Sequence, residues 1–549
     1  MGTGRALALT AALLAAFAPA LAAAPGGAPA PTASGAPAAL APKHVLLIVV
    51  DDLGSADLGY TGSLIRTPTI DALAASGVRL GSFYVQRACS PTRAALMTGR
   101  YNIRYGFQSG VLTDANAYAL PLNETLLPAF VKRAAGGTAR AHMVGKFHLG
   151  FASWRHTPTF RGFDSFLGYY SGDADYFTHE GDCGGFDMRV EDSPACGANC
   201  SRSMWESRGV YSTHLFAQRA VSIIAAHDPA ETLFLYLPFQ AIHVPDQVPA
   251  AYMENYSFPP VLGTDARNYV AGMLSALDEG VGNVTAALRA KGMLDTTLVW
   301  LQTDNGAATP ACGGWSGAQN YPLRGGKCTL YEGGQRGTAI VSGAGVAPER
   351  AGTVEDAIMH VVDVLPTLVD ALGGNASALA SPQFPLDGVS QWATIAAGAP
   401  AARTEALLEA DPYASPHFDA PGGGCSGDEH ATPYYGIRSG RWKLVLGDPG
   451  ATFNTTDLGG GWFCTGPPCP DTHNNSEAVG GPYPADGVLL FDLEADPTET
   501  TDVSRANADV VARLSARIAE LNATAVPSAG VCAPPDPRRL SNGTCTPWL

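Results

Sequence analysis

Two pairs of oxygen-bearing side chains, Asp51-Asp52 and Asp304-Asn305, each stand at the end of an aliphatic run. The runs, His44 to Val50 and Thr297 to Thr303, have the composition of strands buried on both faces. A parallel sheet would bring both ends to one rim, the place where such sheets bind ligands. Three carboxylates and an amide carbonyl gathered there raise one another's pKa unless a cation sits among them. Oxygen-only donors suit Ca2+, with Mg2+ as the second candidate, better than Zn2+. Asp51-Asp52 alone could equally cap a strand-to-loop turn. The same chemistry at two strand ends favours the cation.

Cys89 is the candidate reactive group. It opens the string Cys89-Ser90-Pro91-Thr92-Arg93-Ala94-Ala95-Leu96-Met97-Thr98-Gly99. Pro91 fits a first helical turn, Ala94 to Met97 propagate a helix, and Gly99 suits its stop. A side chain at that helix mouth meets the positive end of the dipole, which favours a reactive or anion-handling group. Cationic partners are Lys146 and His148 in Gly145-Lys146-Phe147-His148-Leu149-Gly150, which share one side if that segment is extended. His243 follows a candidate strand, Leu233 to Leu237, and Lys327 lies in the Gly-rich Pro322-Leu323-Arg324-Gly325-Gly326-Lys327. Singly, each could be an ordinary solvated or hydrogen-bonded residue. Together they would neutralise an anion.

The elements that must position these groups alternate. Helical segments are expected at Thr69 to Ser76, Leu126 to Ala134 and Ala266 to Leu288, between the strands. That alternation predicts an α/β fold built on a large, mostly parallel sheet. Beyond about residue 400, strands at Tyr434 to Leu446 and Val488 to Leu493 and a helix from Asp502 to Leu521 predict a smaller antiparallel sheet domain, 401–549, after a catalytic domain, 43–400.

Composition narrows the setting. The chain has 549 residues, is 46% hydrophobic and carries a net charge of −16, which argues against a nucleic-acid partner. Residues 1–24 read as a signal peptide, with Arg5 ahead of the apolar stretch Ala6 to Phe17 and small residues up to Ala24; residues 25–42 read as an Ala/Pro/Gly-rich linker. No later stretch is long enough to span a bilayer. The expected destination is the secretory pathway, extracellular or lysosome-like. Sequons at Asn123, Asn199, Asn255, Asn283, Asn375, Asn454, Asn474, Asn522 and Asn542 are candidate glycosylation sites. Of eleven cysteines, ten besides Cys89 can pair in an oxidising compartment; Cys183 with Cys196 or Cys200, and Cys532 with Cys545, are plausible local bridges.

The Cys89 string resembles the Cys-x-Pro-x-Arg, Thr-Gly signature of the type I sulfatases, in which the cysteine is oxidised to formylglycine. Asp51-Asp52, Gly145 to Gly150, the His243 segment, Asp304-Asn305-Gly306 and the Lys327 segment follow in that family's order, and likeness extends from about residue 43 to about 510. Within the family the chain looks most like the arylsulfatase B (N-acetylgalactosamine-4-sulfatase) group, in the segments from Ile65-Arg66-Thr67-Pro68 to Tyr101, from Asn320 to Gly325 and from Tyr331 to Gly337. It departs at Phe147, where the family usually has Trp, and at Cys328, where that group tends to have an aromatic. Both are candidate cleft-lining positions.

The resemblance implies an alkaline-phosphatase-like fold and a sulfuric ester hydrolase acting on aryl sulfates or sulfated sugars. Asp51, Asp52, Asp304, Asn305 and the modified Cys89 would hold the cation. Arg93 and Lys146 would position the formylglycine oxygens, and Lys146, Lys327 and His243 would neutralise the sulfate. His243 or Lys327 would protonate the leaving alcohol. His148 would take the proton of the second hydroxyl, which replaces an external water. A formylglycine-generating enzyme is the implied maturation partner, and a sulfated small molecule or saccharide the substrate. Two other readings stay open: a phosphoester or phosphonate hydrolase of the same superfamily, and a catalytically silent homologue that binds sulfated glycans.

Overall fold

The aliphatic runs become the central strands of a ten-stranded sheet. In the computed structural model, residues 40–112, 117–193, 195, 201–258, 264–308, 317–412, 433–450, 486–528, 537–547 and 549 are described. The strands are β1 (His44–Val50), β2 (Val78–Leu80), β3 (Arg140–Lys146), β4 (Ser165–Tyr169), β5 (Arg189–Glu191), β6 (Ser201–Ser203), β7 (Leu233–Pro238), β8 (Thr297–Thr303), β9 (Ala339–Gly343) and β10 (Thr353–Glu355). Their order is β10-β2-β9-β8-β1-β7-β3-β4-β5-β6. The central five, β8-β1-β7-β3-β4, are parallel, and β9, β5 and β6 join antiparallel. The sheet is therefore mixed and mostly parallel, as expected.

Alternation along β1 divides the core between two faces. Val45, Leu47 and Val49 pack with Ala94, Ala95 and Leu96 of α2 (Cys89–Thr98), Phe130 and Val131 of α3 (Leu127–Ala134), and Leu365 and Leu368 of α6 (Val364–Ala371). Leu46, Ile48 and Val50 pack with Ile70 of α1 (Pro68–Ser76), Phe216 and Ile224 of α4 (Ser212–Ala226), and Val270, Leu274 and Leu277 of α5 (Ala266–Ala290). Helices thus pack on both faces of the sheet.

Register does the positioning. Val50 pairs with Thr303, so the residues that follow, Asp51 and Asp304, are neighbours. The Asp304 N–H donates to the Val50 carbonyl at 3.3 Å, and the Ile242 N–H donates to the Asp51 carbonyl at 2.8 Å, which ties the loop bearing His243 to β1. The loop after Asp52 is pinned by Asp57, which accepts from the Gly54 and Gln319 N–H groups and from the buried Arg267 guanidinium.

A second, antiparallel sheet runs β11 (Glu405–Asp411), β12 (Tyr434–Ser439), β13 (Trp442–Leu446) and β14 (Val488–Asp492). The segment Tyr434 to Leu446 is thus a hairpin and not one strand; it turns at Gly440, whose φ of 54° a side-chain-bearing residue rarely adopts. The helix expected from Asp502 begins at Ala508 as α7 (Ala508–Asn522), after a short 3-10 turn at Ser504–Ala506. Its Val510, Leu514 and Ile518, four residues apart, cover Ile437, Leu444 and Leu490.

The expected local disulfides require correction. Cys183 pairs with Cys545, with Cα atoms 6.0 Å apart. The strand Thr544–Cys545 lies parallel to Gly185–Phe186, and this brings the C-terminal end of the chain against an early loop. Cys328 is also disulfide-bonded, and Cys89 is free. Cys196, Cys200, Cys312, Cys425, Cys464, Cys469 and Cys532 lie outside the described residues, as do the expected signal peptide, the expected linker as far as residue 39, Asn199, Asn454 and Asn474. Asn123, Asn255, Asn283, Asn375 and Asn542 are exposed, and Asn522 is half-buried. Among the described residues no helix is long and apolar enough to cross a membrane. Non-reducing peptide mapping should recover a peptide pair linked through Cys183 and Cys545; a Cys183 peptide linked to Cys196 or Cys200 would overturn this pairing.

Candidate active site

The sequence-predicted groups converge at the carboxyl ends of β1, β3 and β8. Cys89 is the first residue of α2, as expected, and the helix closes at Gly99, whose φ is 66° and whose N–H donates to the Ala95 carbonyl. One ligand atom each from Asp51, Cys89 and Asp304 lies within 4.8 Å of the others, and the same holds for Asp51, Asp52 and His243. Asp51, Asp52, Asp304 and Asn305 are wholly buried.

Side chains supply much of the counter-charge that the carboxylates need. Lys146, at the end of β3, donates to Asp51 Oδ2 at 2.5 Å. Arg93, one turn into α2, donates from Nη2 and Nε to Asp304 Oδ2 at 2.8 and 3.0 Å and from Nη1 to the Lys146 carbonyl at 3.1 Å; its Nη2 also lies 3.4 Å from Asp51. Lys327 Nζ stands 2.8 and 3.0 Å from the two Asp52 oxygens. Burial pushes the Asp52 carboxyl up, but Lys327 and then His243 outweigh it and hold the group down at about 2. Asp304 shows the opposite balance: burial, and then Asp51, push it up to about 6. The three carboxylates therefore coexist partly through Lys and Arg, which the sequence argument assigned to the cation alone.

Two oxygens nevertheless fit a hard cation. Asn305 Nδ2 donates to Asp52 Oδ1 at 2.7 Å and to the Gly306 carbonyl, which fixes the amide so that Oδ1 faces away from those bonds. That Oδ1 and Asp51 Oδ1 are buried with no hydrogen-bond partner. Such atoms are costly unless something pairs with them. With Asp52 and Asp304 they make an all-oxygen donor set of the Ca2+ or Mg2+ type.

The two histidines are set differently. Lys146 ends its strand, but His148 has φ 54° and leaves the extended region, so the extended segment expected to carry both residues stops short of it. His148 Nε2 lies 2.9 Å from the Leu112 carbonyl. A carbonyl only accepts, so Nε2 carries the hydrogen and Nδ1 presents its lone pair. Nδ1 is buried without a partner. Burial, followed by Lys146, drives the ring well below the usual histidine range, so it is neutral. His243 Nδ1 donates to the Val244 carbonyl at 2.8 Å, which turns Nε2 toward Asp52 at 3.8 Å.

Cys89 itself is 2% exposed. Burial pushes its thiol up, against the pull of Lys146 and Lys327, and a protonated thiol is a poor nucleophile. Phe147 and Cys328, expected to line the cleft, are both buried, Phe147 within the hydrophobic core and Cys328 in its disulfide. Tyr236 and Leu112 were not singled out by sequence. Tyr236 lies beside Arg93, and a hydroxyl in the otherwise wholly apolar strand β7 was the available signal. Leu112 acts through its backbone, which leaves no trace in residue type.

Comparison with known proteins identifies the family. The family described as Sulfatase matches residues 43–374. Arylsulfatase J of Mus musculus is 36% identical over 520 residues, covering 92% of this chain and 80% of that protein. N-acetylgalactosamine-6-sulfatase of Homo sapiens is 32% identical over 368 residues, covering 62% and 63%. Ps i-CgsB, solved in complex with k-i-k-neocarrahexaose, shares the fold with a TM-score of 0.67 at 24% identity, covering 89% of this chain and 94% of that one. These matches support the family without singling out the arylsulfatase B group. The chain belongs to the sulfatase family and is a sulfuric ester hydrolase.

Proposed function

We propose that this protein cleaves aryl sulfates or sulfated sugars, such as an N-acetylgalactosamine sulfate, using formylglycine formed at Cys89 and a divalent cation, Ca2+ or Mg2+. The observation that carries the reading is the meeting of Cys89 with Asp51 and Asp304 within 4.8 Å, with Lys146 and Lys327 beside them. Relatives named for both aryl and sugar sulfates support the substrate class. When bound, hydrated formylglycine supplies a hydroxyl pair, and the cation lowers the pKa of a hydroxyl that it holds.

This chain's own residues do the rest. Asp51, Asp52, Asp304 and Asn305 hold the cation. Arg93 and Lys146 fix the side chain at position 89 from one side. Lys327 and His243 flank Asp52 from the other, where the Lys327 ammonium receives the sulfate oxygens and stabilises charge as it develops. Lys327 carries the proton available to the leaving alcohol, because the lone pair of His243 is the one turned toward the site. His148, with Nε2 committed to Leu112, offers Nδ1 as the base for the second hydroxyl.

Burial also bears on maturation. With Cys89 2% exposed, a formylglycine-generating enzyme must reach it before the fold closes. The Cys183–Cys545 disulfide favours an oxidising setting, and with the export-signal reading of the N-terminus it supports a secretory destination, extracellular or lysosome-like.

The mass of the peptide containing residue 89 should be that of formylglycine, and nitrophenyl sulfate should turn over faster than nitrophenyl phosphate. An intact thiol in every active preparation would overturn the mechanism. Lys327→Ala should lower kcat by about 10²–10³-fold, the usual loss for one transition-state donor, in a protein that still folds but unfolds at a lower temperature because Asp52 loses its buried partner. His148→Ala should release about one equivalent of nitrophenol per enzyme in a burst and then stall, as expected when only the second step is blocked; a steady rate equal to that of the parent would remove His148 from the reaction.

A further inference from the structure

Two segments that carry the reaction are fastened to each other by Arg87, a residue with no place in the mechanism above. Arg87 stands two positions before Cys89, and Cys328 directly follows Lys327. The Cys328 N–H donates to the Arg87 carbonyl at 2.7 Å, and Arg87 Nη1 donates to the Cys328 carbonyl at 2.9 Å. Both polar backbone groups of Cys328 therefore end on one residue. Cys328 has φ 71°, in the left-handed region that residues with a side chain adopt at a cost, so its surroundings must hold it there.

The guanidinium is itself held from the second sheet. Nη2 donates to the Tyr434 hydroxyl, the guanidinium carbon lies 4.3 Å from the centre of the Tyr434 ring, and Nε is 3.9 Å from Glu409 Oε2. Tyr434 opens β12 and Glu409 lies in β11. The Arg87 and Glu409 side chains are 7% and 1% exposed, so little water competes for these contacts. A planar fork can meet a carbonyl, a hydroxyl and a carboxylate together; an ammonium cannot do so in the same geometry.

We propose that Arg87 is a positioning residue for sulfate-ester cleavage: it keeps the Lys327 ammonium in register with the side chain at position 89 and couples the C-terminal sheet to the reaction. The proposal rests on the reading of Lys327 as the cation that meets the sulfate. Removing the fork leaves the backbone bond from Cys328 to Arg87 in place, so the loop shifts without coming free. A misplacement of about 1 Å at a reacting centre costs about 10²-fold.

The test is a double-variant cycle on full-length, modified enzyme with nitrophenyl sulfate. Arg87→Ala and Arg87→Lys should each lower kcat by about 10–10²-fold with a much smaller change in KM. Arg87→Lys keeps a cation beside the Tyr434 ring and is the conservative variant. In the Lys327→Ala background neither Arg87 variant should lower kcat further, because Arg87 acts through Lys327. Added guanidinium should restore part of the activity of Arg87→Ala and none in the double variant. A full, independent loss on top of Lys327→Ala, or parental kcat in both Arg87 variants, would overturn the Arg87 proposal alone. Parental turnover in Lys327→Ala itself would overturn both that proposal and the reading beneath it.

Discussion

The structure depends on keeping six opposite charges in place where almost no water reaches them. Asp51, Asp52 and Asp304 meet Lys146, Arg93 and Lys327, and every one of these side chains is at most 8% exposed. Removing one partner of such a pair costs about 3–5 kcal/mol, since the other is left as an uncompensated buried charge. Good geometry is therefore a condition of folding as well as of catalysis. The same set leaves Asp51 Oδ1 and Asn305 Oδ1 without partners, so the balance among side chains is incomplete where a cation fits.

The scaffold meets that demand by placing each charge on a different rigid element. Asp51 and Asp304 are set by strand register, Arg93 by the helix that begins at Cys89, and Lys146 by the last position of its strand. Lys327 sits on a loop, the least rigid support, and that loop is braced most heavily. Its N–H donates to the Ala307 carbonyl, and Arg324 reaches the Glu499 carbonyl. Farther along, Lys443 of β13 joins Glu332 and Glu499 at 3.0 and 2.9 Å, all three buried. The antiparallel sheet thus serves the site by immobilising the segment around Lys327, although it supplies none of the groups assigned to the chemistry.

Parts of this arrangement were legible in residue types. Strands buried on both faces announce themselves as continuous aliphatic runs, and an acid pair immediately after such a run has one place to go. Helix α2 was legible from Pro91 and Gly99, because caps and first turns have local chemistry. His148 was found as a residue, but its role as a lone-pair donor was not, since that depends on the Leu112 carbonyl. The Cys183–Cys545 bridge and the Arg87 fork were illegible for the same reason: each joins segments hundreds of residues apart, and nothing in either segment names its partner.

The sequence by itself therefore determined the inventory: the α/β class, the acids at two strand ends, the cysteine at a helix mouth and the cations that follow it. These are properties of short windows, where periodicity and capping act over a few residues. Tertiary structure alone decided which carboxylate is paired and which oxygen is left for a cation, which nitrogen of His148 is free, and what holds Lys327. Those depend on distances of 3 to 4 Å between elements remote in the chain, and electrostatic energies at that range change with each ångström.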